Sequence, residues 1–368
     1  MSKMIPIVSI IFSNYVVRLR RISLGQRVLC ACLLAAILSM FAIAAHAQSA
    51  QTQSPRLSLD AMKALYARPD IIPYPNHNKF STAKAALGQQ LFFDPRLSGT
   101  QAMSCASCHK PEAAWGDGRR TGVGSRGNDL DRRTPTILNL AWGELMFWDG
   151  RADNLEEQAV GPIQNPNEMN MPLPQLVASL GRIPGYRTAF AQAFPGEPIS
   201  PATIGKAIAT FERGVISARA PFDQWIRGDE NAIDASAKRG FMLFNTTARC
   251  SACHSGWRFT DDSFHDIGLR DDDIGRGKLV EGVELLRYAF KTPGLRNITQ
   301  RAPYMHNGSL GTLEEVVEHY SRGFVFRPSK SAEIHRLALS SQDTRDLVAF
   351  METLTSADPE ITAPPLPK

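Results

Sequence analysis

A Cys-x-x-Cys-His pentapeptide occurs twice in this 368-residue chain, as Cys105, Cys108 and His109 and again as Cys250, Cys253 and His254. Residues of these types at this spacing attach a c-type haem. The two thiols form thioethers with the porphyrin vinyl groups, and the adjacent histidine ligates the iron. One copy would equally suit a zinc half-site or a redox-active thiol pair. Zinc ribbons rarely carry a histidine beside the second cysteine in both halves, so two copies point to two haems.

The N-terminal residues indicate where such chemistry would take place. Arg18, Arg20, Arg21 and Arg27 precede an apolar run over residues 28–45, and Ala45-His46-Ala47 has the small-x-small form of a signal cleavage site. Residues 1–47 are expected to be a secretory signal, with a mature start at Gln48 and a periplasmic location. The alternative is an uncleaved anchor, for which the run is barely long enough. Cleavage would remove Cys30 and Cys32, leaving four cysteines that all belong to the haem motifs, so no structural disulfide is expected. It would also remove Lys3 and the four arginines with no acidic residue, and these five account for the whole formal charge of +5. The basic balance therefore belongs to the signal, and a nucleic-acid partner loses its only support. No stable membrane insertion is expected after cleavage.

The elements that must position the motifs repeat with them. Gly88-Gln89-Gln90-Leu91-Phe92 before the first motif answers Gly240-Phe241-Met242-Leu243-Phe244 before the second. A Thr-Pro-x-apolar-x-Asn segment follows each, at residues 134–139 and 292–297. Trp148-Asp149-Gly150 then matches His306-Asn307-Gly308, and Leu155-Glu156-Glu157 matches Leu313-Glu314-Glu315 at the same spacing. Apolar periodicity and capping residues predict helices over residues 82–93, 155–160, 173–177, 199–211, 236–244, 312–320 and 342–354. No strand alternation persists. The expected fold is all-α: two tandem cytochrome c-like haem domains related by internal duplication, at residues 48–230 and 231–368.

The repeat bears directly on the sixth iron ligand. Counting from the matched Leu-Glu-Glu triplets aligns Gln158 with Val316 and Pro162 with Tyr320. Proline has no side-chain donor, whereas a phenolate ligates iron. The first haem is thus expected to keep an open site and the second to be closed by Tyr320, with helix anchoring in the core as the competing role for that tyrosine. Met305, His306, His265 and His335 are rival ligands.

The chain resembles the bacterial di-haem cytochrome c peroxidase family, and within it the MauG-like branch. The resemblance rests on residues 91–98 (Leu-Phe-Phe-Asp-Pro-Arg-Leu-Ser), both haem motifs and residues 147–151 (Phe-Trp-Asp-Gly-Arg). Leu295-Arg296-Asn297 and Ala302-Pro303-Tyr304-Met305-His306 complete it. It implies a peroxidatic haem on His109, with Gln158, Pro162 and Glu168 around its open face and Glu168 as acid–base group. It implies a second haem on His254 with Tyr320 opposite, where conventional peroxidases have methionine. Trp148 resembles the family's bridging tryptophan, against ordinary core packing. Conventional members carry a blocking histidine where this chain has Ser125, so the first haem would be open without reductive activation. The family's interdomain calcium would fall at Arg133 and Arg301, and a guanidinium is no calcium ligand.

These expectations describe a di-haem oxidoreductase that reacts with hydrogen peroxide and passes oxidising equivalents to aromatic residues of a periplasmic protein partner. A detoxifying peroxidase fed by a small cytochrome or copper protein is the alternative, and a non-catalytic electron-transfer cytochrome a third. The tryptophan that the resemblance implies at the partner surface, just before the second motif, is Ala248 in this chain, so the partner and exit route would differ. Trp115, Trp225 and Trp257 are possible relays.

Overall fold

In the computed structural model residues 57–368 are described; the expected signal segment with Cys30 and Cys32 lies outside them. The first half runs through α1 (Leu59–Ala64), α2 (Thr82–Phe93), the motif turn α3 (Cys105–Cys108), α4 (Leu155–Gln164), α5 (Leu173–Arg182), α6 (Pro184–Ala193) and α7 (Pro201–Arg213). There follow α8 (Pro221–Ile226), α9 (Ala235–Asn245), α10 (Leu313–Glu318) and α11 (Ser341–Glu352). Phe264–His265 (β1) and Phe290–Lys291 (β2) pair antiparallel, too briefly for alternation to be legible in the sequence.

Side-chain caps start the predicted helices. Ser81 accepts from Lys84 N at the head of α2, Asn154 from Glu157 N at α4, Asp234 from Ala237 N at α9, and Thr312 from Glu315 N at α10. Helix α4 continues past its expected end despite Pro162. The proline lies in the last turn, where its missing N–H forfeits a single hydrogen bond. Helices α6 and α8 were not expected from periodicity; each begins on a proline at its first position, where that residue's fixed φ favours a helix start. Beyond α10 the helix widens into a π-turn, His319–Gly323.

The duplication is visible in packing as well as in sequence. Helix α2 crosses α7 so closely that a Cβ on Gly88 would lie 2.0 Å from the Ala207 carbonyl oxygen. Helix α9 crosses α11 in the same way, with Gly240 at 1.9 Å from the Asp346 oxygen. The repeated glycine is thus the residue that lets two backbones touch. After each motif an asparagine with positive φ, Asn139 or Asn297, turns the chain. The side-chain oxygen of each accepts from a serine N–H, of Ser217 and Ser356 respectively.

Two apolar clusters result. One gathers Leu87, Leu91, Phe92, Trp115, Ile163, Leu176, Tyr186, Phe190 and Ile208 from α2 to α7. The other gathers Phe222, Trp225, Phe241, Phe244, Phe259 and Phe350. The chain crosses between them in both directions. Met62 of α1 and Tyr66 just beyond it join the second cluster, Tyr66 stacking on Phe259 at 4.8 Å. In return Ile361 packs on the first, and the tail bonds there through Pro367 O to Arg96 and Lys368 O to Gly185 N. Among the described residues no helix is long and apolar enough to cross a membrane.

Candidate functional site

The two Cys-x-x-Cys-His motifs open into one cavity of about 940 Å³, near the upper end of the size range of ligand pockets. Its wall includes Cys105, Cys108 and His109 from the first motif and Cys250, Cys253 and His254 from the second. Among the described residues none of these four cysteines is in a disulfide. Burial pushes Cys105 upward, Cys108 up to about 11 and Cys250 up to about 12. A reactive dithiol needs the opposite shift, so Cys105, Cys108 and Cys250 do not behave as members of a redox pair.

The histidines are prepared alike in both halves. His109 Nδ1 lies 3.2 Å from the Trp115 carbonyl, and His254 Nδ1 2.9 Å from the Phe259 carbonyl. Each carbonyl fixes the tautomer with hydrogen on Nδ1 and leaves the Nε2 lone pair for a metal. Burial lowers both imidazoles, keeping them neutral and ready to ligate. Thiols, rings and cavity therefore fit two haems. Cys253, Asp261 and His265 also come together as a potential metal cluster. Haem attachment would consume the Cys253 sulfur, which leaves His265 paired to Asp261 at 2.8 Å.

Around the first motif the cavity wall includes Gln158 and Pro162, both from α4, and Glu168 from the loop that follows. Asn165 Nδ2 donates to Glu168 Oε1 at 2.7 Å, and the Glu168 carbonyl accepts from Ser125 N at 2.8 Å. Burial raises the Glu168 carboxyl, against smaller lowering effects of Arg151 and Asn165. Ser125 itself does not line the cavity; Val123 of its loop does, and the Ser125 hydroxyl is buried without a partner.

Around the second motif the wall includes Val316 and Tyr320, which the repeat aligns with Gln158 and Pro162. Tyr320 is carried on the π-turn after α10, and burial raises its phenol above the ordinary value. A bound cation would be needed to hold its oxygen as phenolate. His319 beside it faces elsewhere, its Nε2 3.0 Å from the Ile267 carbonyl. His306 is buried, stacked on Phe290 at 3.5 Å, and His335 is exposed.

Trp148 is the tryptophan of the cavity wall. Its indole donates to Arg133 O at 2.8 Å, and its ring lies edge-on to His306 at 6.4 Å. Trp115 and Trp225 sit in the two cores, and Trp257 packs edge-on against Trp142 at 4.7 Å. Ala248 is buried in the cavity wall. Arg133 and Arg301 also line it and are buried guanidiniums, so the two positions where the resemblance would put calcium carry no oxygen donor on their side chains, in keeping with the doubt about that metal.

One cavity residue was not expected. Glu212 of α7 is buried, its Oε2 has no partner, and burial pushes it up to about 8 against the lowering effect of Arg213. The helix crossings align Ala207 with Asp346, which aligns Glu212 with Met351 of the second half; both line the cavity. A carboxyl in the last turn of a helix reads in sequence as part of a solvated face. Its burial and its place in the cavity wall show that this one points inward.

A family model described as di-haem cytochrome c peroxidase matches residues 82–231, and one described as cytochrome c matches residues 237–355. The methylamine utilization protein MauG of Methylorubrum extorquens is 51% identical over 324 residues, which cover 87% of this chain and 92% of that protein. The cytochrome c551 peroxidase of Pseudomonas aeruginosa is 35% identical over 78% of this chain and 83% of its own length. Among solved structures, a MauG-like protein associated with microbial copper homeostasis superposes with a TM-score of 0.72. It is 34% identical, over 78% of this chain and 95% of that one.

Proposed function

Since the chain belongs to the di-haem cytochrome c peroxidase family, on its MauG-like branch, and carries two covalent haems c, we propose that hydrogen peroxide is reduced on the His109 side of the cavity. In this reading residues 48–230 hold the reaction centre and residues 231–368 the second haem. The observation that supports it is an asymmetry within one shared cavity: Glu168 acts on the thiols of the first motif, Cys105 and Cys108, whereas the Tyr320 phenol acts on those of the second, Cys250 and Cys253.

When bound, the haems supply a redox centre for peroxide and a second centre on which an oxidising equivalent can rest. The side chains supply the rest. Pro162 offers no donor, so that side stays open to small molecules. Glu168, raised by burial, is poised to take a proton from one peroxide oxygen and return it to the other as water leaves. Asn165 holds Oε1 and leaves Oε2 for that exchange. Gln158 orients the substrate without carrying a proton. Tyr320 would hold the second haem through an anionic oxygen, which would favour a higher oxidation state than a neutral thioether. Trp148, tethered to Arg133 O and edge-on to His306, joins segments of both halves and shortens the path of an electron.

The electron donor is proposed to be an aromatic residue of a partner protein in the periplasm, reached after cleavage of residues 1–47. The likeness to a methylamine utilization protein supports a protein substrate. Ala248 carries no redox-active side chain, so the exit to that partner would lie elsewhere in the wall. The test adds peroxide to the fully oxidised protein without reductant. A long-lived near-infrared band from charge shared between two haems is the expected result. Inertness until half-reduction would select the detoxifying peroxidase instead.

A further inference from the structure

Four arginines are buried among the described residues: Arg133, Arg213, Arg296 and Arg301. Two are neutralised by the protein. Arg213 forms a double hydrogen bond to Glu156, at 2.6 and 2.9 Å, and Arg296 a double bond to Asp223, at 2.8 Å each. Arg133 and Arg301 have no such partner. Arg133 Nη2 donates to the Arg301 carbonyl, Arg301 Nη2 donates to the Gly294 carbonyl, and Nε of each is buried with no acceptor. Asp117 acts on Arg133 from a distance, but its oxygens are engaged by the Thr134 hydroxyl and the Arg119 N–H.

Two like charges, 6% and 4% exposed, thus face one cavity together. Burial, reinforced by Arg133, lowers Arg301 to about 9. An arrangement of this kind is costly unless anions fill it. The place is also specific. Arg133 N donates to the His306 carbonyl at 2.7 Å, while its own carbonyl accepts from Trp148, so the pair sits where the two halves meet.

We propose that Arg133 and Arg301 form a dicationic seat for the propionate carboxylates of the two haems, with fixed charge where the family resemblance would put calcium. The ligand class is a porphyrin carboxylate, for which the planar guanidinium is a well-matched donor. Positive charge fixed beside these carboxylates raises the potentials of both haems and makes the junction independent of free calcium. The inference rests on the di-haem reading, and its test separates the two.

The pyridine haemochrome spectrum and intact mass of the holoprotein first count covalent haems; fewer than two would sink the di-haem reading itself. With two present, wild-type holoprotein is treated with a calcium chelator. Unchanged electron paramagnetic resonance spectra and midpoint potentials are expected, and changes reversed by added calcium would overturn the seat. The double variant Arg133→Met/Arg301→Met is then titrated potentiometrically beside Arg133→Lys/Arg301→Lys. Midpoint potentials of both haems should fall in the first and largely recover in the second. Potentials unmoved in a methionine variant that retains both haems would overturn the proposal. Should the methionine pair fail to fold, resonance Raman propionate-bending bands of the wild type and the lysine pair decide: bands that differ between them support the seat, and identical bands overturn it.

Discussion

The two carboxyls of the first haem's side differ in surroundings and so in expected behaviour. Glu168 keeps one oxygen bonded to Asn165 and the other free. Glu168→Gln preserves shape and removes the proton carrier, so the rate of reaction with peroxide should fall about 10²–10⁴-fold. Both haem spectra should stay unchanged in stopped-flow controls, and an unaltered rate would remove Glu168 from the acid–base role. Glu212 instead shapes stability. Its folded value of about 8 lies above the ordinary 4.5. Below pH 4.5 folded and unfolded chains are both protonated, and stability is full. Between 4.5 and 8 unfolding releases a proton, so stability drains as pH rises, and above about 8 the loss is complete. Glu212→Gln has no such slope. Its advantage in Tm over the wild type should grow from nil near pH 4.5 to a maximum above pH 8. At about 1.4 kcal/mol per pH unit, the gap is on the order of a few kcal/mol. A constant difference across pH would refute the assignment. The haem motifs and the Pro162–Tyr320 contrast were legible in the sequence because the repeat supplies an internal alignment. Glu212 was not, since inward direction depends on a helix crossing that no local pattern encodes.

At the scale of elements, each haem motif hangs on a pair of helices that meet at a glycine. Gly240→Ala would place a methyl 1.9 Å from the Asp346 carbonyl oxygen and 2.7 Å from Phe350 Cβ, both on α11. The helices must separate, which should cost roughly 1–3 kcal/mol. Thermal unfolding would record the loss, and the spectrum of the haem on His254 should shift more than that on His109. Gly88→Ala should reverse that preference, since its clash is with Ala207 and Phe211 of α7. Equal effects on both haems would contradict two separately built helix pairs. Helix positions in these pairs were readable from apolar spacing and caps. The π-turn that carries Tyr320 was not, because a widened turn preserves the composition of the helix it extends.

At the scale of the molecule, the two halves exchange their ends. Residues just past α1 lie in the second core, and the final segment from Ile361 lies on the first. Cutting the connector around residues 228–234 with a protease should therefore leave a single particle in size-exclusion chromatography. Separation into two species would contradict the exchange. Sequence reading drew a linear boundary here because a proline-rich tail shows no periodicity to betray where it docks. The exchange also ties the two cores together. The first is complete only once residues 361–368 have docked on it, and the second only once Met62 and Tyr66 have, so neither core reaches its full packing without a segment from the other half of the chain.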